Sequence, residues 1–322
     1  MRRMARLFAV VFGSVLIVSL VGVTDVTAST ISCGSTLGAG DWELDSNLVC
    51  AGVDPVIIVT SGARLNLKGN SVDCGGAGVG IFVLGATDVH INNGHVHHCD
   101  VGIWLVRGGF HQLNALHVDS NHHAGIFLQL SSDNHLSGSE VSSNAEFGIL
   151  IEDSSRNQLN TMIIKSNGFV GVNLVSFGPP PRSDDNEISS SDVSSNFFIG
   201  VLIEGGQHNT VRSNTVSDNN LADTAGGGIF AFGFGSTIQG NVVNRNGITH
   251  GGGIEAGQAT TIQDNVANGN AFGITVGSEF NLIQSNTALG NAFFDLQDFS
   301  PNCAFNVWKD NTFVTANQPC IS

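Results

Sequence analysis

The sequence predicts an all-β solenoid, in which short strands stack coil upon coil. Three observations predict it: a phrase that recurs every 23 residues or so, an alternation of apolar and polar residues inside each phrase, and asparagines at fixed places. The repeat is plainest in residues 101–169, where VGIWLVRGGFHQLNALHVDSNHH is followed by AGIFLQLSSDNHLSGSEVSSNAE and FGILIEDSSRNQLNTMIIKSNGF. Such a unit cannot bury its apolar face alone, so stacked units build the core.

Each phrase holds three short apolar runs, which predict three strands per coil. In the copy at 101–123 the runs contain Ile103 and Leu105, then Leu113, then Val118. Their period of two is typical of half-buried strands, and the dense Gly, Ser and Asn disfavours helix. The spacing predicts about ten coils of about 23 residues. A leucine-rich repeat is disfavoured, because it would need a Leu-dominated unit with one strand.

Asparagine recurs at two corners of the predicted coil. Stacked asparagine side chains can hydrogen-bond from coil to coil and satisfy the backbone of the turns. The insertion at 176–185 carries three successive prolines, which cannot sit in a ladder strand. The two columns are Asn134, Asn157, Asn186 and Asn209, and Asn121, Asn144, Asn167, Asn196 and Asn219.

These features resemble the right-handed parallel β-helix repeat proteins of the pectate-lyase-like superfamily. The resemblance covers residues 53–297, while 29–52 is similar to their N-terminal cap and 298–322 to the ending common in secreted bacterial members. It implies a right-handed coil and says little about activity, because this solenoid hosts lyases, hydrolases, epimerases and adhesins. The His-rich repeats also resemble periplasmic proteins that help mature the copper sites of nitrous oxide reductase.

The chain start and the cysteines predict export. Residues 1–28 have a basic start, an apolar run and a small-residue cleavage site, which is typical of a signal peptide, and no later run is long enough to span a membrane. We therefore expect a secreted protein, extracellular or periplasmic. The six cysteines predict disulfides. Cys33–Cys50 and Cys303–Cys320 would each staple a cap, whereas Cys74 and Cys99, one coil apart, either bridge or stack.

The net charge of −15 disfavours nucleic acid and anionic membranes as partners. It also counts against polyanionic substrates. The lyases and epimerases of the superfamily use Lys, Arg, His or Tyr as acid and base; this chain has no tyrosine, and its Lys and Arg are scattered. The polyuronate branch is therefore disfavoured.

The register of the first strand predicts an outward stripe of rings. Because Ile81 and its equivalents point inward, the next residue of each coil points outward. An exposed apolar stripe usually marks a binding surface, and sugars stack on flat rings. The candidate polysaccharide platform is Phe82, Trp104, Phe127 and Phe230. The alternative is that a loop, the N-terminal cap or a second protomer covers the stripe.

Carboxylates beside this stripe are candidate catalytic groups. Glu152 and Glu204 are predicted two coils apart on one face, with Asp184 and Asp185 in the insertion between them. An inverting glycosidase needs two carboxyl groups about 6.5–9.5 Å apart, one to protonate the leaving oxygen and one to activate water. The alternative is that these groups only keep the surface soluble.

The histidines are unusually concentrated, since nine of the eleven lie between residues 90 and 135. On the third strand of each coil, the register predicts a group of side chains that point outward and lie within one or two coil spacings of one another. Imidazole suits Zn or Cu, so the patch is a candidate metal site, and ordinary polar surface is the alternative. The candidate ligands are His95, His97, His117, Asp119 and Glu140.

The leading functional hypothesis is a secreted protein that binds or processes a polysaccharide, such as a cell-envelope glycan. It requires no cofactor. The rival is a non-enzymatic repeat scaffold: an adhesin, an envelope component or a periplasmic assembly factor, with a metal at the His patch. Residues alone do not separate the two classes.

Overall fold

The protein is described by a computed structural model covering residues 30–178 and 182–322. Its strands pair in parallel and stack in register from coil to coil, as in Leu113 opposite Ile91 on one side and Leu136 on the other. The predicted all-β parallel solenoid is confirmed. The predicted signal peptide and Pro179–Pro181 lie outside the described residues. Over the described ranges, no helix has the length and apolar character needed to cross a membrane.

The coil has three sides, which we call sheets 1, 2 and 3. Sheet 1 is the longest continuous ladder and carries the Gly-aliphatic start of each repeat. Its twelve strands are Ser35–Leu37, Ile57–Val59, Val79–Thr87, Val101–Gly109, Ala124–Ser132, Phe147–Glu152, Val170–Val175, Ile199–Ile203, Gly227–Ala231, Gly252–Ala256, Phe272–Val276 and Phe294–Asp298.

Sheets 2 and 3 share two long strands, His90–His97 and Gln112–Asp119, each of which runs through the corner between them. The other strands of sheet 2 are Gly40–Glu43, Ala63–Asn66, His135–Ser137, Gln158–Asn160, Glu187–Ser189, Thr210–Arg212, Thr237–Gln239, Thr261–Gln263, Leu282–Gln284 and Val307–Lys309. Those of sheet 3 are Leu48–Val49, Ser71–Asp73, Glu140–Ser142, Ile163–Lys165, Asp192–Ser194 and Thr215–Ser217. Beyond these, sheet 3 continues as single bridges, and a 3₁₀ turn spans Pro301–Cys303.

The number of coils is twelve rather than the expected ten or so. The 23-residue phrase is degenerate at both ends of the chain, so its spacing undercounts the turns. Ser35–Leu37 already pairs in register with Ile57–Val59, and Phe294–Asp298 pairs with Phe272–Val276. Both end segments therefore extend sheet 1 instead of standing apart from it.

The lumen is filled by aliphatic side chains that point inward from equivalent positions in successive coils. Ile81, Ile103, Ile126 and Ile149 follow each other in sheet 1 and are fully buried. The glycine before each has a steric reason: a Cβ on Gly148 would lie 2.6 Å from the Gly171 carbonyl oxygen and 2.7 Å from the Asn167 side-chain nitrogen. The Gly-aliphatic opener thus reflects close packing of the coils against the asparagine column.

Both predicted asparagine columns form hydrogen-bonded ladders. The side-chain oxygen of Asn167 accepts the backbone and side-chain amides of Asn144, at 3.1 and 2.9 Å, and its own amides donate to Asn196. The sequence reading missed a third ladder, in which successive residues are also linked by side-chain amides. Its members recur at irregular spacing: Asn214, Asn241, Asn265, Asn286 and Asn311.

Three disulfides fix the coils. Cys33–Cys50 and Cys303–Cys320 are formed as expected near the two ends. Cys74 and Cys99, for which bridging and stacking were both open, are bonded, with their Cα atoms 4.9 Å apart. Cys99 takes the first slot of an asparagine column, and its backbone amide donates to the side chain of Asn121 at 3.0 Å.

Candidate functional site

A groove of about 600 Å³ runs across the outer face of sheet 1, over the coils between Val101 and Glu204. Its floor is the predicted outward stripe, whose register is Trp104, Phe127, Leu150 and Asn173 in successive coils. The lining residues are Val101, Trp104, His123, Phe127, Gln129, Phe147, Leu150, Glu152, Phe169, Asn173, Val175, Phe177 and Glu204.

The aromatic floor is packed rather than fully open. Trp104 stacks on Phe127 with ring centroids 5.5 Å apart and an angle of 7° between the planes. Phe127 is only 7% exposed, because it packs with Val101, Ala124 and Leu150 into a cluster outside the lumen. Trp104 is half-buried and offers the more accessible ring. The question whether the stripe is open or covered thus has an intermediate answer, in which neighbouring side chains of the same chain cover part of it.

A column of rings forms one wall of the groove. His123, Phe147 and Phe169 line the groove, and Phe198 continues the column beyond it; successive ring centroids lie 5.6, 5.7 and 5.1 Å apart. Our sequence reading did not single out this column. A signal for it exists, because the segments SNAEFG, SNGFVG and SNFFIG each place phenylalanine one or two residues before the glycine of the next coil.

Asn173 is a polar residue in an apolar column. It pairs in register with Leu150 on one side and Leu202 on the other, and it is 6% exposed. Its Oδ1 atom has no hydrogen-bond partner in the described residues, and neither does Nε1 of Trp104, the other orphaned polar atom of this groove. A buried polar group without a partner costs about 1–3 kcal/mol, so a hydrogen bond to either atom from water or from a molecule in the groove would be favourable.

The carboxylates Glu152 and Glu204 line the opposite wall. They lie on either side of Val175, which pairs in register with Glu152 and lies one coil before Glu204. Glu152 accepts a hydrogen bond from Nε2 of Gln129 at 3.0 Å, whereas Glu204 is exposed. The groove therefore brings together the two predicted glutamates and the aromatic floor.

Asp184 and Asp185 lie apart from this wall. The Asp184 carboxylate accepts a hydrogen bond from the backbone amide of Gln207 at 2.7 Å and so links its coil to the next one. Asp185 lines a different cavity, with Asp133, Arg156 and other polar residues of sheet 2. The sequence predicted that the insertion lies beside the groove. Asp184 and Asp185 instead follow the corner between sheets 1 and 2, so they do not line it.

The other two predicted platform residues flank the groove. Phe82 meets Trp104 edge-on at 5.6 Å, one coil before the groove begins. Phe230 is 5% exposed and packs with Val170, Ile199 and Leu202 in a separate cluster. The column continues beyond Phe230 to Glu255, where burial raises the pKa of the carboxyl group.

The predicted histidine register is present on sheet 3. His95 pairs with His117 and then Glu140, and His97 pairs with Asp119, while Val96 and Val118 are buried in the lumen between them. The rings of His95 and His97 stack with centroids 4.3 Å apart. An open cavity of about 800 Å³, which includes His95, His117 and Glu140 in its lining, borders the patch.

Within the patch, one trio of candidate ligands is His95, His117 and Asp119, whose ligand atoms all lie within 4.8 Å of one another. The Asp119 carboxylate bonds to Nε2 of His95 and lies 3.7 Å from Nε2 of His117. Burial alone would raise the pKa of Asp119, but the hydrogen bond from His95 lowers it below its usual value. Glu140 stands further out, 4.0 Å from His117 and 3.1 Å from Nζ of Lys165.

His97 belongs to a second trio, which the sequence reading did not assemble. It joins His98 and Asp73, again with all ligand atoms within 4.8 Å. Asp73 lies in the preceding coil, where it pairs in register with His97. The trio was missed because the period of two places only residues on the strands, and it gave the corner residue His98 no ligand geometry.

Structural comparisons find other parallel β-helices. The Dettilon tailspike protein superposes with a TM-score of 0.70 at 16% identity, over 86% of this chain and 62% of that one. The GH87 α-1,3-glucanase catalytic domain bound to tetrasaccharides gives 0.59 at 14% identity, over 90% and 63%. The mannuronan C-5 epimerase AlgE4 A-module of Azotobacter vinelandii gives 0.53 at 12%, over 88% and 87%. This chain spans less than two thirds of the tailspike and glucanase chains, and at these identities the likeness shows the fold alone.

Sequence comparison is more specific about family. No curated protein matches the chain. The model described as right handed beta helix region matches residues 181–318. The model described as periplasmic copper-binding protein (NosD) matches residues 41–230, which is more than half of the chain and includes both the groove and the histidine patch. The chain therefore belongs to the NosD family of β-helix repeat proteins.

Proposed function

We propose that this protein is an exported β-helix protein that binds a polysaccharide in the groove on sheet 1. The observation that carries the proposal is Asn173, a buried amide without a partner in a column of leucines and rings. A sugar supplies what the site lacks: hydroxyl groups that donate to Asn173 Oδ1 and accept from Trp104 Nε1, and an apolar face that packs on the Trp104 ring.

The shape of the groove agrees with an extended chain of sugars. It crosses the strands, so it runs along the solenoid axis, and the aromatic wall repeats a ring in each coil at centroid distances of 5.6 and 5.7 Å. Three disulfides in the described residues fit export to an oxidising compartment. The α-1,3-glucanase catalytic domain among the structural neighbours, which is bound to tetrasaccharides, supports the proposal as an analogy of fold only.

The sharpest test is Asn173→Leu, which completes the apolar column with the residue found in both neighbouring coils. We expect the free protein to keep or gain stability, because an unsatisfied buried amide is removed, while oligosaccharide affinity falls by about three- to tenfold or more. A glycan array identifies ligands, and isothermal titration calorimetry then measures their affinity for each variant. Leu202→Met, one coil on and outside the groove lining, is the matched control.

The outcomes separate clearly. Loss of binding in Asn173→Leu with unchanged binding in Leu202→Met supports the groove. Wild-type affinity in both Asn173→Leu and Trp104→Ala, for every glycan that binds, would place the binding elsewhere. An array on which no glycan binds would end the proposal.

Whether the groove also cleaves its ligand rests on Glu152 and Glu204. We propose them as an acid and base pair of the inverting kind, because both line the groove wall with one coil between them. Glu152→Gln and Glu204→Gln should each abolish the release of reducing ends from the bound glycan while leaving its binding in place. Equal product from both variants and wild type would show that these carboxylates are not the catalytic pair, and no product from wild type would leave a binding protein only.

A second function is favoured by the first histidine trio together with the family match. The patch offers nitrogen and oxygen donors, which suit Cu(II) or Zn(II). Cu(I) prefers sulfur, but in the described residues every cysteine is in a disulfide and Met162 is buried. The donors therefore fit copper in its divalent state. His95, His117 and Asp119 would hold the ion, and the cavity beside them leaves room for a further ligand.

Calorimetry with Zn(II) and Cu(II) at neutral pH tests this second function. Wild type should bind both ions and should bind Mg(II) much more weakly, because nitrogen donors disfavour hard ions. His95→Ala with His117→Ala should remove this binding event. A heat signal that survives the double substitution unchanged would show that these residues are ordinary surface.

A further inference from the structure

We infer that Asp73, His97 and His98 form a second transition-metal site, distinct from the trio around His117. It would bind a divalent ion that accepts both nitrogen and oxygen ligands, such as Zn(II) or Cu(II). The inference does not depend on the sugar groove, nor on whether the first trio holds a metal.

The three ligand atoms converge. Nδ1 of His97 lies 3.0 Å from Nδ1 of His98, which lies 3.2 Å from Oδ2 of Asp73. The third side of the triangle, from His97 Nδ1 to Asp73 Oδ2, is 3.9 Å. Ligands about 2.0–2.1 Å from a tetrahedral ion lie about 3.3 Å apart, so the triangle needs only small side-chain movements to accept one.

The carboxylate is already oriented for this role. The backbone amide of Gly75 donates to Oδ1 of Asp73 at 2.8 Å, which leaves Oδ2 facing the two imidazoles. Burial alone would raise the pKa of Asp73, but the bonds from Gly75 and His98 lower it below its usual value.

The backbone on both sides of the site is tied together. Asp73 precedes Cys74 and His98 precedes Cys99, so the Cys74–Cys99 disulfide links the residues that follow two of the ligands. The carbonyl groups of His97 and His98 accept the amides of Cys74 and Gly76, at 3.3 and 2.8 Å. A site whose ligands are held before binding loses little conformational entropy when the ion arrives.

The exposed side of the trio leaves room for solvent. His98 is exposed, while His97 and Asp73 are half-buried. Three protein ligands and one free position describe an open site, in which water or a ligand from another molecule completes the coordination. The stacked rings of His95 and His97 bring this site next to the first trio.

The test uses Zn(II) calorimetry and Cu(II) electron paramagnetic resonance on the full exported chain. His98→Ala and Asp73→Asn remove one ligand each, and His117→Ala disables the first trio alone. His122→Ala is the matched control, since His122 is an exposed corner histidine with a single carboxylate neighbour, Asp100 at 3.4 Å. Circular dichroism checks that each variant folds.

We expect His98→Ala and Asp73→Asn to weaken one Zn(II) binding event at least about tenfold, while His117→Ala leaves that event in place and His122→Ala changes nothing. The resonance spectrum of this event should show coupling to two nitrogens. Wild-type binding in both His98→Ala and Asp73→Asn would overturn the site. So would a protein whose only Zn(II) event disappears in His117→Ala. Loss of the His117 event alone leaves this site standing, so failure of the first trio is distinguished from failure of the second.

Discussion

The backbone amide of Val89 donates a hydrogen bond to Nδ1 of His111 over 3.2 Å, in the slot that asparagine occupies in the next coils. His111 is 1% exposed, and its own amide donates to the side chain of Asn134. The histidine thus begins an asparagine ladder as an acceptor. Burial lowers the pKa of His111 to about 4, so the ring stays neutral in the fold.

His111 should make stability depend on pH. The unfolded chain takes up a proton at His111 below about pH 6.5, whereas the folded chain does so only near pH 4. The contribution of His111 to the free energy of unfolding is therefore fully present above pH 6.5. It falls by about 3 kcal/mol as the pH drops toward 4. His111→Asn, which restores the ladder residue, should flatten that fall in urea unfolding measured from pH 7 to 4. His122→Asn, on an exposed histidine, should keep the wild-type slope, and an unchanged slope in His111→Asn would contradict the prediction.

The groove should discriminate among sugars by charge. No lysine or arginine is among its described lining residues, and His123 is paired with Glu146 at 2.7 Å, while Glu152 and Glu204 contribute negative charge. We expect neutral or amine-bearing oligosaccharides to bind at least about tenfold more tightly than oligogalacturonates at low salt. Calorimetry with cellohexaose, a chitosan hexamer and hexagalacturonate measures this.

The double substitution Glu152→Gln with Glu204→Gln tests the cause of that discrimination. It should bring the affinities for charged and neutral sugars closer together without changing fold. Tight binding of hexagalacturonate by the wild type would show that the wall charges do not select the ligand.

The asparagine ladders should dominate the polar contribution to stability. Asn167→Ala leaves the backbone and side-chain amides of Asn144 without their acceptor inside the structure. We expect the free energy of unfolding to fall by about 3 kcal/mol, with a lower urea midpoint. Asn160→Ala is the comparison, because Asn160 is half-buried and its amide donates only a 3.4 Å bond to Ser189. A similar loss in both variants would mean that the ladder position has no special role.

The Cys74–Cys99 disulfide should strengthen metal binding at Asp73, His97 and His98. Cys74→Ala with Cys99→Ala removes the link while keeping all three ligands. We expect Zn(II) affinity at this site to fall about tenfold, since the ligands must then be ordered on binding. His95 and His117 provide the internal reference, because binding at that trio should change little. Equal affinity with and without the disulfide would show that the β-helix alone positions the ligands.

Much of the fold was predictable because each coil repeats the same physical solution. The inward isoleucines, the outward register of Trp104 and Phe127, and the two asparagine columns all follow from a period of two within a strand and a fixed period between coils. The coil count was too low, because the end segments stack in sheet 1 without carrying the repeated phrase. A sequence repeat reveals only coils that share a sequence pattern, whereas a coil of different sequence can still hydrogen-bond into the sheet.

The site was predictable only where it lies on regular strands. The register gave the trio of His95, His117 and Asp119, and the coil spacing brought Glu152 and Glu204 to one wall. The corner residues were not predictable in this way, because the direction of a side chain there depends on a turn. His98 has a positive φ of 53°, which turns it toward Asp73, and Asp185 has one of 55° at the insertion.

An asparagine in a ladder accepts hydrogen bonds from one coil and donates hydrogen bonds to the next, so each coil needs a further acceptor after it. Asp295 ends one ladder, since its two oxygens accept from Asn291, Val314 and Thr315 and its carboxylate has no proton to hand on. Asp298 ends a second in the same way, by accepting from Asn306 and Trp308. Each of these two side-chain ladders therefore ends at a carboxylate, which accepts hydrogen bonds from the last asparagine of the ladder and has no side-chain donor for a further one.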